Sequence, residues 1–140
     1  MPQQMHSLQT AGPGLYEFTG HANRFVSELN WDEGLLTVFV RHTSCSLTIQ
    51  ENADPDVQRD LQAFFARLVP DGDDPAMHWL SHTAEGPDDM PAHIKAALTQ
   101  TSISIPVSAG HLMLGNWQGL YVFEHRTRPH RREIIFHLGG

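Results

Sequence analysis

Residues 82–98, HTAEGPDDMPAHIKAAL, concentrate groups able to bind a metal or move a proton: His82, Glu85, the adjacent Asp88 and Asp89, and His93. A Gly-Pro loop carries the first of these and runs straight into a short helix. Pro91 suits the first helical turn, where its missing N–H forfeits no hydrogen bond. Ile94, Ala97 and Leu98 then follow at helical spacing as one apolar face. His93 is thus held by a helix, whereas His82 lies in the loop before it. Such a site needs partners from elsewhere in the chain.

Zinc in a catalytic site commonly takes three protein ligands and keeps a position for water or substrate. His42, His82 and His93 would supply those three from a strand, a loop and a helix. His42 ends LLTVFVRH, and by the two-residue side-chain period it shares a face with Leu36, Val38 and Val40. A core histidine bonded to backbone fits that position equally well. His78 and His82 are spaced i, i+4, but their Pro- and Gly-rich flanks argue against a helix there.

The candidate acids and bases are Glu51, Asp54 and Glu124. Asp54 competes as a helix N-cap, and Glu51 as a strand end or surface ion pair. Glu124 closes LYVFE, where a carboxylate is either exposed or set in a pocket. Asn52 accompanies the first two in QENADPD. Trp117 and Gln118 lie in GNWQG, where flanking glycines let backbone approach a ligand or a neighbouring chain and Trp117 offers a stacking wall. Arg131 and Arg132 are candidate phosphate ligands through their forked donors. Arg126 and Arg128 read as a solvated hairpin loop, and Cys45 as a small buried thiol rather than a nucleophile.

The elements that must position these groups follow from pattern. Residues 6–19 read as one or two short strands broken by AGPG. Ala22, Phe25, Val26 and Leu29 recur at helical spacing between residues 20 and 30. LLTVFVRHTS reads as a buried strand and SLTIQE as a second one. Residues 53–70 carry the strongest helix signal. Asp54 caps it, Pro55 takes its first position, and Val57, Leu61, Phe64, Phe65 and Leu68 form a stripe facing the core. A loop of residues 71–89 is long for a compact domain, and long loops are disproportionately functional. TSISIPV, LMLGNWQGLYVFEH and EIIFHL complete the strands. With no βαβ alternation and no internal repeat, the order indicates an α+β fold in one domain, residues 1–140, with helices covering a largely antiparallel or mixed sheet.

The 140 residues include 40% hydrophobic and 18% charged side chains, a composition able to form a core and unlike that of disordered chains. No apolar run reaches the ~20 residues a membrane helix needs, and the N-terminus lacks a signal-peptide pattern. A single cysteine excludes an intrachain disulfide and suits a cytoplasmic setting. The net charge of −7 argues against a general nucleic-acid binder, because phosphate neutralisation needs excess Lys and Arg. HRTRPHRR is the local exception.

HTSCSLTIQENADPD, EGPDDMPAHIKAAL and the pattern of Ser102, Ile105, Val107 and Gly110 followed by GNWQGL from Gly115 resemble the YjbQ-like proteins, some described as secondary thiamine-phosphate synthases. The resemblance runs from about Leu36 onward, with Asn116 where the family usually has Thr. It implies an α+β subunit whose sheet curves into a half-barrel, assembled as a homotrimer with sites near subunit contacts. It implies motif roles for His42, His82, His93, Glu51, Asn52, Asp54, Gln118, Glu124 and an arginine of the Arg131–Arg132 pair. It also implies a divalent metal, zinc. The expected function is a metal-binding enzyme acting on a small phosphorylated metabolite. Its reaction would join an aminopyrimidine pyrophosphate to a thiazole phosphate. A metal-dependent hydrolase and a trimeric binding module without turnover are the alternatives.

Overall fold

The computed structural model describes residues 2–140. In chain order the elements are β1 (Gln3–Gln9), β2 (Gly14–Glu17), α1 (Thr19–Leu29), β3 (Glu33–Val40), β4 (Cys45–Glu51), α2 (Pro55–Leu68), a 3₁₀ turn (Pro75–Met77), α3 (Asp89–Leu98), β5 (Ser102–Ser108), β6 (His111–Leu112), β7 (Gln118–Glu124) and β8 (Arg131–Gly139). One sheet runs β1-β8-β3-β5-β6 and the other β2-β7-β4. All strand pairings are antiparallel. The result is an α+β fold with a curled, half-barrel sheet and three helices.

Alternation builds the core. Leu36, Val38 and Val40 on β3 point inward, as do Ile103, Ile105 and Val107 on β5 and Ile134, Phe136 and Leu138 on β8. The register sets Leu36 opposite both Ile105 and Leu138, and Val38 opposite both Ile103 and Phe136. Cross-strand contact thus adds to burial on a single face. Helix α1 closes that face with Ala22, Phe25 and Val26. The rings of Phe18 and Phe25 lie 6.0 and 5.6 Å from that of Phe136.

The structure corrects four readings of the sequence. β3 is buried on one face only, since Leu35 and Phe39 are exposed. His42 lies just beyond its end, half-buried and outside the ladder. α2 has the expected cap, Asp54 accepting from the Asp56 N–H, but no residue of the helix is buried. Phe65 meets Phe123 edge-on at 5.2 Å, whereas Phe64 and Leu68 remain exposed. The stripe exists, but one chain covers only part of it. Finally, α3 begins at Asp89, before Pro91, and buries Ala92 and Ala96 rather than Ala97 and Leu98.

Candidate metal centre

The long loop is folded by its own polar groups. Asp74 caps the 3₁₀ turn through the Ala76 N–H, and the Gly72 N–H donates to the Pro87 carbonyl at 2.7 Å. Gly86 turns the chain at φ +102°, a left-handed conformation that favours glycine. Asp88 and Asp89 follow at once, both buried.

These carboxylates are held from across the fold. Arg126, just beyond β7, donates from Nε to Asp88 Oδ2 at 2.8 Å and from Nη1 to Asp89 Oδ1 at 2.7 Å. Its Nη2 reaches the Glu85 carbonyl at 3.3 Å, and the Thr127 N–H donates to Asp88 at 3.0 Å. Burial works against ionisation of Asp88, but the Thr127 N–H and the Arg126 guanidinium outweigh it and hold its pKa at about 2. Arg126 is therefore a half-buried clamp on the loop, which corrects its reading as a solvated residue.

The clamp leaves Asp89 Oδ2 for the histidines. His82 Nε2 lies 2.7 Å from it and His93 Nε2 3.4 Å, while Glu85 Oε2 is 3.1 Å from His82 Nε2. His82, Asp89 and His93 each offer one ligand atom, all within 4.8 Å of one another, and form a group able to hold a metal ion. Burial disfavours the Asp89 anion, but hydrogen bonding to His82 and Glu85 and the His93 and Arg126 charges lower its pKa on balance. Hydrogen bonding to Asp89 raises that of His82 despite its partial desolvation, with Glu85 contributing. His93 Nδ1 donates to the Thr43 carbonyl at 2.8 Å. That bond fixes the ring and leaves Nε2 for the shared centre, the usual outer partner of a metal-binding histidine.

Of the three expected ligands, the structure brings His82 and His93 together and replaces His42 with Asp89. The Glu133 N–H donates to His42 Nε2 at 2.8 Å, so that nitrogen is committed to backbone. Burial and then the Arg132 charge lower the His42 pKa. The i, i+4 spacing of Asp89 and His93 was the available sequence signal for the acidic ligand. Arg126 had no local signal, because its partners lie 37 and 38 residues away.

Glu124 is fully buried. Its oxygens accept from Thr10 Oγ1 at 2.7 Å, from the Arg132 guanidinium, and from the His125 and Arg126 N–H groups at 3.0 and 3.2 Å. Burial opposes its ionisation, yet the Arg132 and Thr10 hydrogen bonds lower its pKa overall. Arg132 also donates to Ser44 and is itself buried. The pair joins β7 to β8 and has no free edge for a substrate, which corrects both the catalytic reading of Glu124 and the phosphate reading of Arg132. Arg131 is exposed and donates to Ser7 Oγ at 3.1 and 3.2 Å.

The remaining candidates gather at the other end of β4 and β7. Glu51 pairs with Gln118 across the ladder, and its Oε2 accepts from the Asp54 N–H at 3.1 Å. The Asn52 N–H donates to the Trp117 carbonyl at 3.0 Å, and Gln118 Oε1 accepts from the Gly115 N–H at 2.7 Å. Trp117 is 66% exposed. Since β7 spans Gln118–Glu124, its two ends are about 20 Å apart at the usual strand rise. Within one chain, this cluster and the metal group are separate.

Residues 4–140 match the family model described as UPF0047 protein YjbQ-like. A UPF0047 protein of Synechocystis sp. is 51% identical over 138 residues, covering 99% of this chain and 91% of that protein. The UPF0047 protein YjbQ of Escherichia coli is 45% identical over 107 residues, 76% of this chain and 74% of that one. Among solved structures, a YjbQ/UPF0047-family protein of Clostridium acetobutylicum superposes with a TM-score of 0.84 at 33% identity, covering 96% of this chain and 98% of that chain. A hypothetical protein of Aeropyrum pernix gives 0.87 at 25% identity over 100% and 99%. Sequence and fold agree along nearly the whole chain, and the protein belongs to the UPF0047 family of YjbQ-like proteins.

Proposed function

We propose that the protein is a cytoplasmic metal-dependent enzyme acting on a small phosphorylated metabolite, with secondary thiamine-phosphate synthase chemistry as the specific reaction. The observation that carries this reading is the His82–Asp89–His93 group with its outer partners Thr43 and Arg126. Two imidazoles and a carboxylate suit zinc. The donor set fits because two of the ligands are held by outer partners, the Thr43 carbonyl on His93 Nδ1 and Arg126 on Asp89 Oδ1, while His82 turns Nε2 toward Asp89 and Glu85.

A bound divalent cation would neutralise charge on a departing pyrophosphate, the main requirement of a reaction joining an aminopyrimidine pyrophosphate to a thiazole phosphate. Arg126, Arg131 and Arg132 offer little for that purpose. Arg126 and Arg132 are committed to carboxylates, and Arg131 is tied to β1 through Ser7. The chain instead positions the ligands and walls the site. A recess of about 310 Å³ beside His82 is bounded by Leu80, Pro87, Pro91, Thr83 and Asp73 and leaves room for a small substrate. Hydrolysis of a phosphorylated metabolite is the second reading, favoured by the exposed Glu85 carboxylate 3.1 Å from His82, where a base could take a proton from water.

The protein acts as a homotrimer in this proposal. The uncovered Phe64 and Leu68 side chains of α2, with Leu98 of α3, support association with further copies. So does the separation along β7: a substrate touching both Trp117 and the metal group needs two chains.

Elemental analysis of untagged protein tests the centre. The expected result is about one zinc per chain, lost in His82→Ala and retained in His42→Ala. Wild-type protein without metal after purification in zinc-supplemented medium would reject it. Product analysis with one and then two organic substrates separates hydrolase from synthase.

A further inference from the structure

The two histidines of the metal group border different recesses. His82 lines the one already described, whereas His93 lines a second of about 260 Å³, together with His42, Thr43, Ala96, Ala97 and Thr101. The two linings share no residue. The second recess lies between the turn after β3, the exposed flank of α3 and the start of β5.

Its chemistry is specific. Ala96 and Ala97 present methyl groups, the two threonines add small side chains, and the imidazoles of His42 and His93 complete the lining. No Lys, Arg, Asp or Glu lines it, so the lining itself offers no formal charge to hold an ion and favours an uncharged guest. At about 260 Å³ it falls below the usual range for drug-sized ligands, which suits a single ring.

One polar feature remains. Because the Glu133 N–H donates to His42 Nε2, the neutral ring carries its proton on Nδ1. That N–H has no hydrogen-bond partner among the described residues, and no buried side-chain polar atom among them is left unsatisfied, so His42 Nδ1–H is open to an outside acceptor. His93 differs, since its Nδ1–H is spent on Thr43. The Thr43 turn therefore couples the two rings, one directed to the metal group and one free to donate.

We propose that this recess is a second binding subsite, taking an uncharged flat heteroaromatic ring whose acceptor nitrogen is met by His42 Nδ1–H. The inference rests on the enzyme reading above for its purpose, but not for its test. It gives His42 a recognition role in place of metal ligation. It also makes room for two organic groups, one beside each histidine.

The experiment uses metal-free, isotope-labelled protein at pH 8 with pyridine as probe and benzene as the ring without an acceptor. Pyridine should shift the NMR signals of His42, Thr43, Ala96, Ala97 and Thr101, including the His42 Nδ1–H, and benzene should do so much more weakly. Ala97→Trp, at an exposed position outside the metal group, should abolish the response while zinc binding, measured separately, stays intact. Shifts that persist in a folded Ala97→Trp protein, no shifts in wild type, or an equal response to benzene would each overturn the subsite. Absence of zinc binding would reject the metal centre alone, because the probe is read without metal.

Discussion

Arg126 binds one oxygen of Asp89 and leaves the other to the histidines: Nη1 lies 2.7 Å from Oδ1, while Oδ2 is 2.7 Å from His82 Nε2 and 3.4 Å from His93 Nε2. The division of labour on a single carboxylate ties the exit of β7 to the start of α3. Arg126→Met would leave Asp88 and Asp89 buried without their cation, a change of about 3 kcal/mol or more in stability. Zinc affinity should fall about 10- to 100-fold, as for other losses of an outer partner. Thermal melting and competition against a chelating dye read the two effects separately.

Ligand identity gives a sharper contrast. Asp89→Asn should lose metal as completely as His93→Ala, although sequence reasoning had placed His42 in that role. Zinc stoichiometry of the three variants decides it, and a His42→Ala protein that came out metal-free would restore the all-histidine set.

Acid should weaken both the loop, through Asp88, and the sheet beside it, through His125. The Asp88 pKa is depressed from 3.8 to about 2, so its contribution is fully present above the unfolded value and disappears as pH falls through the folded one. The shift corresponds to about 2 kcal/mol. His125 adds to the trend from a higher pH. Burial first, then the Lys95 charge, pushes its pKa down to about 3, so the unfolded chain takes up a proton near 6.5 that the folded one refuses. Stability should therefore decline from about pH 6.5 downward, and denaturant midpoints of Asp88→Asn should show a flatter slope between pH 4 and 2.

Sharing of the site between chains is testable by mixing. His82→Ala and Trp117→Ala should each be inactive alone, yet co-refolding them in equal amounts should regain about a quarter of wild-type turnover if one site draws on two copies. No recovery, with mixed oligomers confirmed by mass, would place each site within one chain.

What the sequence revealed was local. Asp54 and Pro55 marked the start of α2 because capping is settled within a few residues, and the alternation of Leu36, Val38 and Val40 marked an inward face because side-chain period is intrinsic to a strand. Whether Phe64 and Leu68 would find cover was not local information. Ile94, Ala97 and Leu98 formed a plausible stripe, but α3 turned Ala92 and Ala96 inward, since small side chains let it approach β4 closely. At the candidate site, His82 and His93 stood out by type and setting. Asp89 was seen, but as a loop acid before Pro91, and Arg126 and Glu124 drew their partners from distant positions. Their roles depend on burial, which residue type alone does not specify.

The uncovered helix α2 has a consequence for motion. A 14-residue helix is marginal on its own in water, and here it rests on one side only, against β2 and through Phe65–Phe123 and the Gln58–Tyr121 hydrogen bond. In an isolated chain its amides should exchange with solvent through local opening, at far lower free energy than those of β3 and β8, which exchange only when the sheet comes apart. If further copies cover α2 as proposed, dilution that separates them would speed exchange in α2 and leave the sheet amides unchanged.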